Sequence, residues 1–130
     1  MNRLLWLCLV LTMASCRGSG TGDARTSAAP RPAPAAAVVG GVYAIPDGKG
    51  AYLLSKVLAA DEHAVHLRSY GQTYKEIPGT VDTQKLTIMV GHMPLAPDGF
   101  AQSRPILIST EAVRENELEG YRMYLEAMRQ

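Results

Sequence analysis

Residues 17–39 contain seven Ala, three Gly, three Pro, two Ser and two Thr, so 17 of 23 positions are small or proline and none is aromatic. Such a stretch buries too little surface to offset the entropy of ordering it, and a disordered linker is expected. It separates a short apolar leader from 91 residues, 40–130, that can fold. That length supports one modest core. The folded part carries 9 Lys/Arg and 11 Asp/Glu and is close to −2, so no positive field gathers nucleic acid, and no nucleic-acid partner is expected. Its aromatic residues are Phe100 and six tyrosines, because the single Trp, Trp6, lies in the leader.

The leader reads as an export signal: Arg3, an apolar run over residues 4–11, then Thr12, Met13, Ala14 and Ser15 ahead of Cys16. The run is too short to cross a hydrocarbon core of about 30 Å, which takes roughly 20 apolar residues. Met13-Ala14-Ser15-Cys16 resembles the lipobox of bacterial lipoproteins, with Met13 where that family favours Leu. The resemblance implies removal of a signal peptide, residues 1–15, and acylation of Cys16 by palmitate-type chains, which makes the lipid bilayer a partner. Two or more acyl chains hold where one is marginal. An ordinary secretory signal cleaved elsewhere, for example after Ala14, is the alternative. Cys8 leaves with the leader, so the processed chain keeps one cysteine and forms no internal disulfide. Arg17 is not the Asp that retains such lipoproteins in the inner membrane. The family resemblance therefore implies a lipid anchor in the cell envelope, at the outer membrane and facing the periplasm if the host has two membranes. The segment Pro30-Arg-Pro-Ala-Pro34 favours extended geometry at about 3.1 Å per residue, giving the tether a reach of a few tens of ångströms.

Within residues 40–130, Gly41-Val-Tyr-Ala-Ile45 is β-prone and is stopped by Pro46-Asp-Gly-Lys-Gly50. Residues 52–60 and 64–70 flank Asp61-Glu62-His63 and read as a hairpin, with period-two alternation in the second run that places His66, Arg68 and Tyr70 on one face, taken as exposed. Further strands are expected over residues 73–77 and 85–90. Residues 91–104, with Pro94 and Pro97, read as a loop with one helical turn around Phe100, followed by a brief β-prone segment at 106–108. Residues 115–128 place Leu118, Tyr121, Leu125 and Met128 on one helical face. Gly120 in that helix suggests close backbone approach to the sheet. The fold class is α+β: a small antiparallel curved sheet or barrel of 4–5 strands followed by a C-terminal helix.

The run from Tyr52 through Lys56-Val57 and Asp61-Glu62 to Tyr70 resembles the central hairpin of Tudor-like small barrels. That likeness covers about 20 residues and implies that tyrosines near the rim, Tyr43, Tyr52, Tyr70 and Tyr74, form a cation-binding cage through their ring quadrupoles. The longer combination of Gly40-Gly-Val-Tyr-Ala-Ile-Pro-Asp-Gly48, the hairpin, Gly91-His-Met-Pro-Leu95 and Glu117-Leu-Glu-Gly-Tyr-Arg122 resembles small bacterial proteins to which no activity attaches.

Catalytic chemistry is not written in these residues. His63 and His66 beside Asp61 and Glu62 lack a third ligand at defined spacing, so no metal is expected and both read as surface residues. His92 has no Ser or Cys nucleophile in a recognisable elbow, and Gly48-Lys-Gly50 is a turn. The acidic residues lie in a turn and on a helix face, without the pairing that glycoside chemistry needs. Neither enzyme activity nor a cofactor is expected. The expected function is a lipid-anchored, non-catalytic binding module for another envelope protein, a peptide or a wall polymer. The alternative is an immunity or inhibitor lipoprotein directed against a secreted toxin or hydrolase.

Overall fold

The computed structural model describes residues 36–130. The leader, Cys16 and the linker up to residue 35 lie outside the described residues. Among the described residues no helix is long and apolar enough to cross a membrane.

Five antiparallel strands make one sheet: β1 (Gly41–Pro46), β2 (Tyr52–Ala60), β3 (Val65–Tyr74), β4 (Ile88–Leu95) and β5 (Ile106–Thr110). Their spatial order is β4-β3-β2-β1-β5, so the curved sheet stays open and β4 and β5 are its edges. Two helices, α1 (Pro97–Gln102) and α2 (Glu119–Met128), complete a small α+β fold. Register shifts in the β1·β5, β2·β3 and β3·β4 ladders are the bulges that bend such a sheet.

Both hairpins on β2 close in the same way. Asp47 Oδ1 accepts from the backbone N–H of Lys49 at 2.7 Å and of Ala51 at 3.0 Å. Asp61 Oδ1 accepts from those of His63 and Ala64, both at 2.8 Å. An aspartate that satisfies two backbone donors makes a turn without help from neighbouring strands.

Both faces of the sheet are covered. On one, Tyr43, Val57, Val65 and Leu67 pack with Phe100 of α1, and Tyr43 meets the Phe100 ring edge-on with centroids 5.2 Å apart. On the other, Ala44, Leu54 and Tyr70 pack beneath Val81 and Leu86 from the β3–β4 connection. The rings of Tyr121 and Tyr124 in α2 lie against His66 on β3. A strand covered on both sides has no solvent face, and this overturns the surface assignment of His66 and Tyr70: they are 0% and 1% exposed.

Three further expectations are corrected. Residues 73–77 form no separate strand, because β3 runs through Gly71, whose N–H donates to the Thr87 carbonyl at 2.9 Å, and ends at Tyr74. Residues 88–95 form one strand rather than a strand and a loop: Pro94 is tolerated because β4 is an edge, where a missing N–H breaks no ladder. The C-terminal helix begins at Glu119, behind a 3₁₀ turn at Glu115–Glu117, and leaves Met128 69% exposed.

Candidate functional site: a polar pocket beside a buried ion cluster

β2 reads Tyr52-Leu-Leu-Ser-Lys-Val-Leu-Ala-Ala60, an apolar run interrupted by Ser55 and Lys56. Because both faces of the central strands are covered, Lys56 cannot reach water and is 0% exposed. Its ammonium group donates to Glu117 Oε2 at 2.9 Å, to the Ala112 carbonyl at 2.9 Å and to Glu111 Oε2 at 3.4 Å. All three donors of the ammonium are therefore used, as a buried cation requires.

Backbone features bring the two carboxylates there. Gly40 (φ +80) sits so close to the Glu111 carbonyl that an added Cβ would lie 2.2 Å from it, and the Glu111 N–H donates to the Gly40 carbonyl at 2.8 Å. Only glycine allows this approach, which fixes Glu111 at the end of β5. Glu117 folds back in the turn ahead of α2, where its Oε2 accepts from the Arg114 N–H at 2.8 Å. Burial alone would raise the Glu117 carboxyl. The Arg114 N–H, the Lys56 bond and charge, and the charge of Arg68 outweigh that and hold it below its ordinary value.

Beside this cluster, where the β3–β4 connection and the segment ahead of α2 meet over the sheet, lies a cavity of about 210 Å³. Arg68 and Tyr70 come from β3, Thr83 from the connection, and Arg114, Asn116 and Glu117 from the segment before α2. Leu86 and Ile88 form an apolar wall. The Tyr70 hydroxyl is buried without a hydrogen-bond partner. Burial pushes this phenol above its ordinary value, with Glu117 and Glu111 adding to the rise; the nearby Thr83 hydroxyl, which donates to Glu111 rather than forming a bond with Tyr70, and the charge of Arg68 oppose it. Tyr70 therefore remains an O–H donor at neutral pH.

A second polar cluster joins β3, β4 and α2. His66 Nδ1 and His92 Nε2 are 3.0 Å apart, within hydrogen-bond distance, and their rings lie nearly parallel with centroids 5.2 Å apart. His66 Nε2 lies 3.7 Å from Asp61 Oδ2, while the Tyr121 and Tyr124 rings close over the pair. Burial pushes the His92 imidazole below its ordinary value, and the charge of His66 adds to this. His63 points into solvent beside Glu62 at 3.2 Å. Among the described residues no group of three or more His, Cys, Asp or Glu is placed to hold a metal ion.

The four tyrosines are not brought to one place. Tyr70 is central, and Tyr52 and Tyr74, paired across β2 and β3, pack partly buried around the same core. Tyr43 lies in the other core, and its hydroxyl accepts from the Val38 N–H at 3.0 Å. Sequence reasoning missed Lys56, Arg68, Glu111, Arg114 and Glu117. The signal was a lysine within an apolar strand, matched by an acidic stretch at residues 111–117.

Comparison of the chain with protein-family models, with curated proteins and with solved structures gave no match.

Proposed function

We propose that this chain is a lipid-anchored binding module of the cell envelope, held to the bilayer through acylated Cys16, and that it captures its partner in the pocket bounded by Arg68, Tyr70 and Arg114. The observation that carries the binding role is the unpartnered Tyr70 hydroxyl on the wall of a cavity that also holds two guanidinium groups. Leaving a buried hydroxyl unsatisfied costs about 1–3 kcal/mol, a cost that an acceptor on a bound molecule would remove. The lipobox-like Met13-Ala14-Ser15-Cys16 and the small-residue linker support display on a tether. In a host with two membranes the anchor sits in the outer membrane and the domain faces the periplasm. The partner is an envelope protein, a peptide or a wall polymer.

The test is in-cell crosslinking. A photoreactive side chain in place of Asn116, at the pocket wall, should capture one discrete species in intact cells. That adduct should fall several-fold when Arg68→Gln and Arg114→Gln are combined. Absence of an adduct, or one indifferent to the two arginines, would overturn the reading.

A further inference from the structure

We infer that the pocket takes a free main-chain carboxylate whose neighbouring side chain is apolar, as at the C-terminus of a peptide. This inference rests on the binding-module reading and names the chemistry of the same site.

The local charge balance points to a single negative charge. Lys56, Arg68 and Arg114 stand against Glu111 and Glu117, leaving three cations to two carboxylates. Lys56 is committed to both glutamates and a carbonyl. The two guanidinium groups are positioned by neutral acceptors instead. Arg68 Nε donates to the Gly91 carbonyl at 3.3 Å, and Arg114 donates to the Gln84 side-chain oxygen once that amide is oriented to face it. Neither forms a salt bridge among the described residues. A guanidinium fixed in place but not neutralised is suited to a carboxylate, which it can bind through two parallel N–H donors.

The remaining donors agree. The Thr83 hydroxyl already donates to Glu111, so the buried donor still to be used is the Tyr70 O–H. An acceptor on the ligand would satisfy it. A phosphate dianion would bring a second negative charge against the Glu117 carboxylate lining the same cavity, with no further cation to offset it. Leu86 and Ile88 offer apolar surface to a side chain next to the bound carboxylate. A cavity of about 210 Å³ admits one such group, the end of a chain rather than its middle.

The test uses the full chain and three probes, N-acetyl-L-leucine, its amide and inorganic phosphate, followed by NMR of the Arg68 and Arg114 side chains and of Tyr70. The acid should give saturable shifts, with the amide and phosphate at least about tenfold weaker. Arg68→Gln and Arg114→Gln should each weaken the acid by about tenfold. Tyr70→Phe should weaken it several-fold while raising the thermal midpoint of the free protein, because it removes an unsatisfied buried hydroxyl. Equal binding of the amide, tighter binding of phosphate, or no saturable shift from folded protein would overturn the inference. If the arginine-dependent crosslink persisted in that case, the binding module would stand and only the carboxylate would be wrong.

Discussion

Lys56 gains its position from the strands around it and its tolerance from two carboxylates. It stands opposite Arg68 across β2 and β3, a like-charge pair that would be unfavourable by itself, and Glu117 bonds to Lys56 while feeling the charge of Arg68. Lys56→Met would leave Glu111 and Glu117 without their shared cation, and breaking a buried pair in this way costs about 3–5 kcal/mol. Urea unfolding should show a loss of that size, whereas a change below about 0.5 kcal/mol would mean that the cluster is effectively solvated. The histidine pair predicts a pH dependence. The folded imidazole of His92 sits below its ordinary value of 6.5, so the unfolded chain takes up a proton more readily than the folded one. Stability is therefore complete above about pH 6.5 and is lost as pH falls through that value toward the folded one. The groups facing His92 are His66, Tyr121 and Tyr124, with Asp61 behind His66. The urea midpoint should drop between pH 7.5 and 5.5, and His92→Gln should flatten that drop; an unchanged slope in the variant would remove His92 as its source. Neither cluster was legible from spacing, since Lys56 and Glu117 are 61 residues apart and His66 and His92 are 26 apart.

At the scale of elements, local rules worked where the chain makes its own turns. The Asp47 and Asp61 turns, and hence β1, β2 and the start of β3, follow from Asp and Gly chemistry within a few residues. The readings failed where tertiary position overrides local preference. Pro94 signals a loop unless its strand is known to be an edge, and Glu117 signals a helix start unless its bond to Lys56 is known. Gly120 was legible. A Cβ there would lie 2.5 Å from the Cβ of His92, so the glycine lets α2 approach β4 closely. Gly120→Ala should therefore destabilise by about 1–3 kcal/mol through this clash, although Ala favours a helix by about 1 kcal/mol over Gly in an open site. A rise in thermal midpoint would show that α2 does not sit against β4 in this way.

For the whole molecule, the ion cluster, the pocket and the histidine pair all involve residues on the face of the sheet away from α1. That face is where the β3–β4 connection and α2 share the covering, and the pocket is the seam between that connection and the segment ahead of α2. The opposite face holds the apolar core around Phe100. On this account, the Phe100 side contributes apolar packing, the other side combines a second apolar core and the ion cluster with the candidate binding site, and the proposed anchor at Cys16 would hold that site near a membrane. Replacing Cys16 by Ser should leave unprocessed precursor and abolish lipid labelling, while persistent labelling would exclude Cys16 as the anchor. The most direct measurement is the mass of the N-terminal peptide of the chain isolated from its host's membranes. The account predicts a chain that begins at Cys16 and carries acyl chains on it; a different first residue, or Cys16 with a bare thiol, would contradict it.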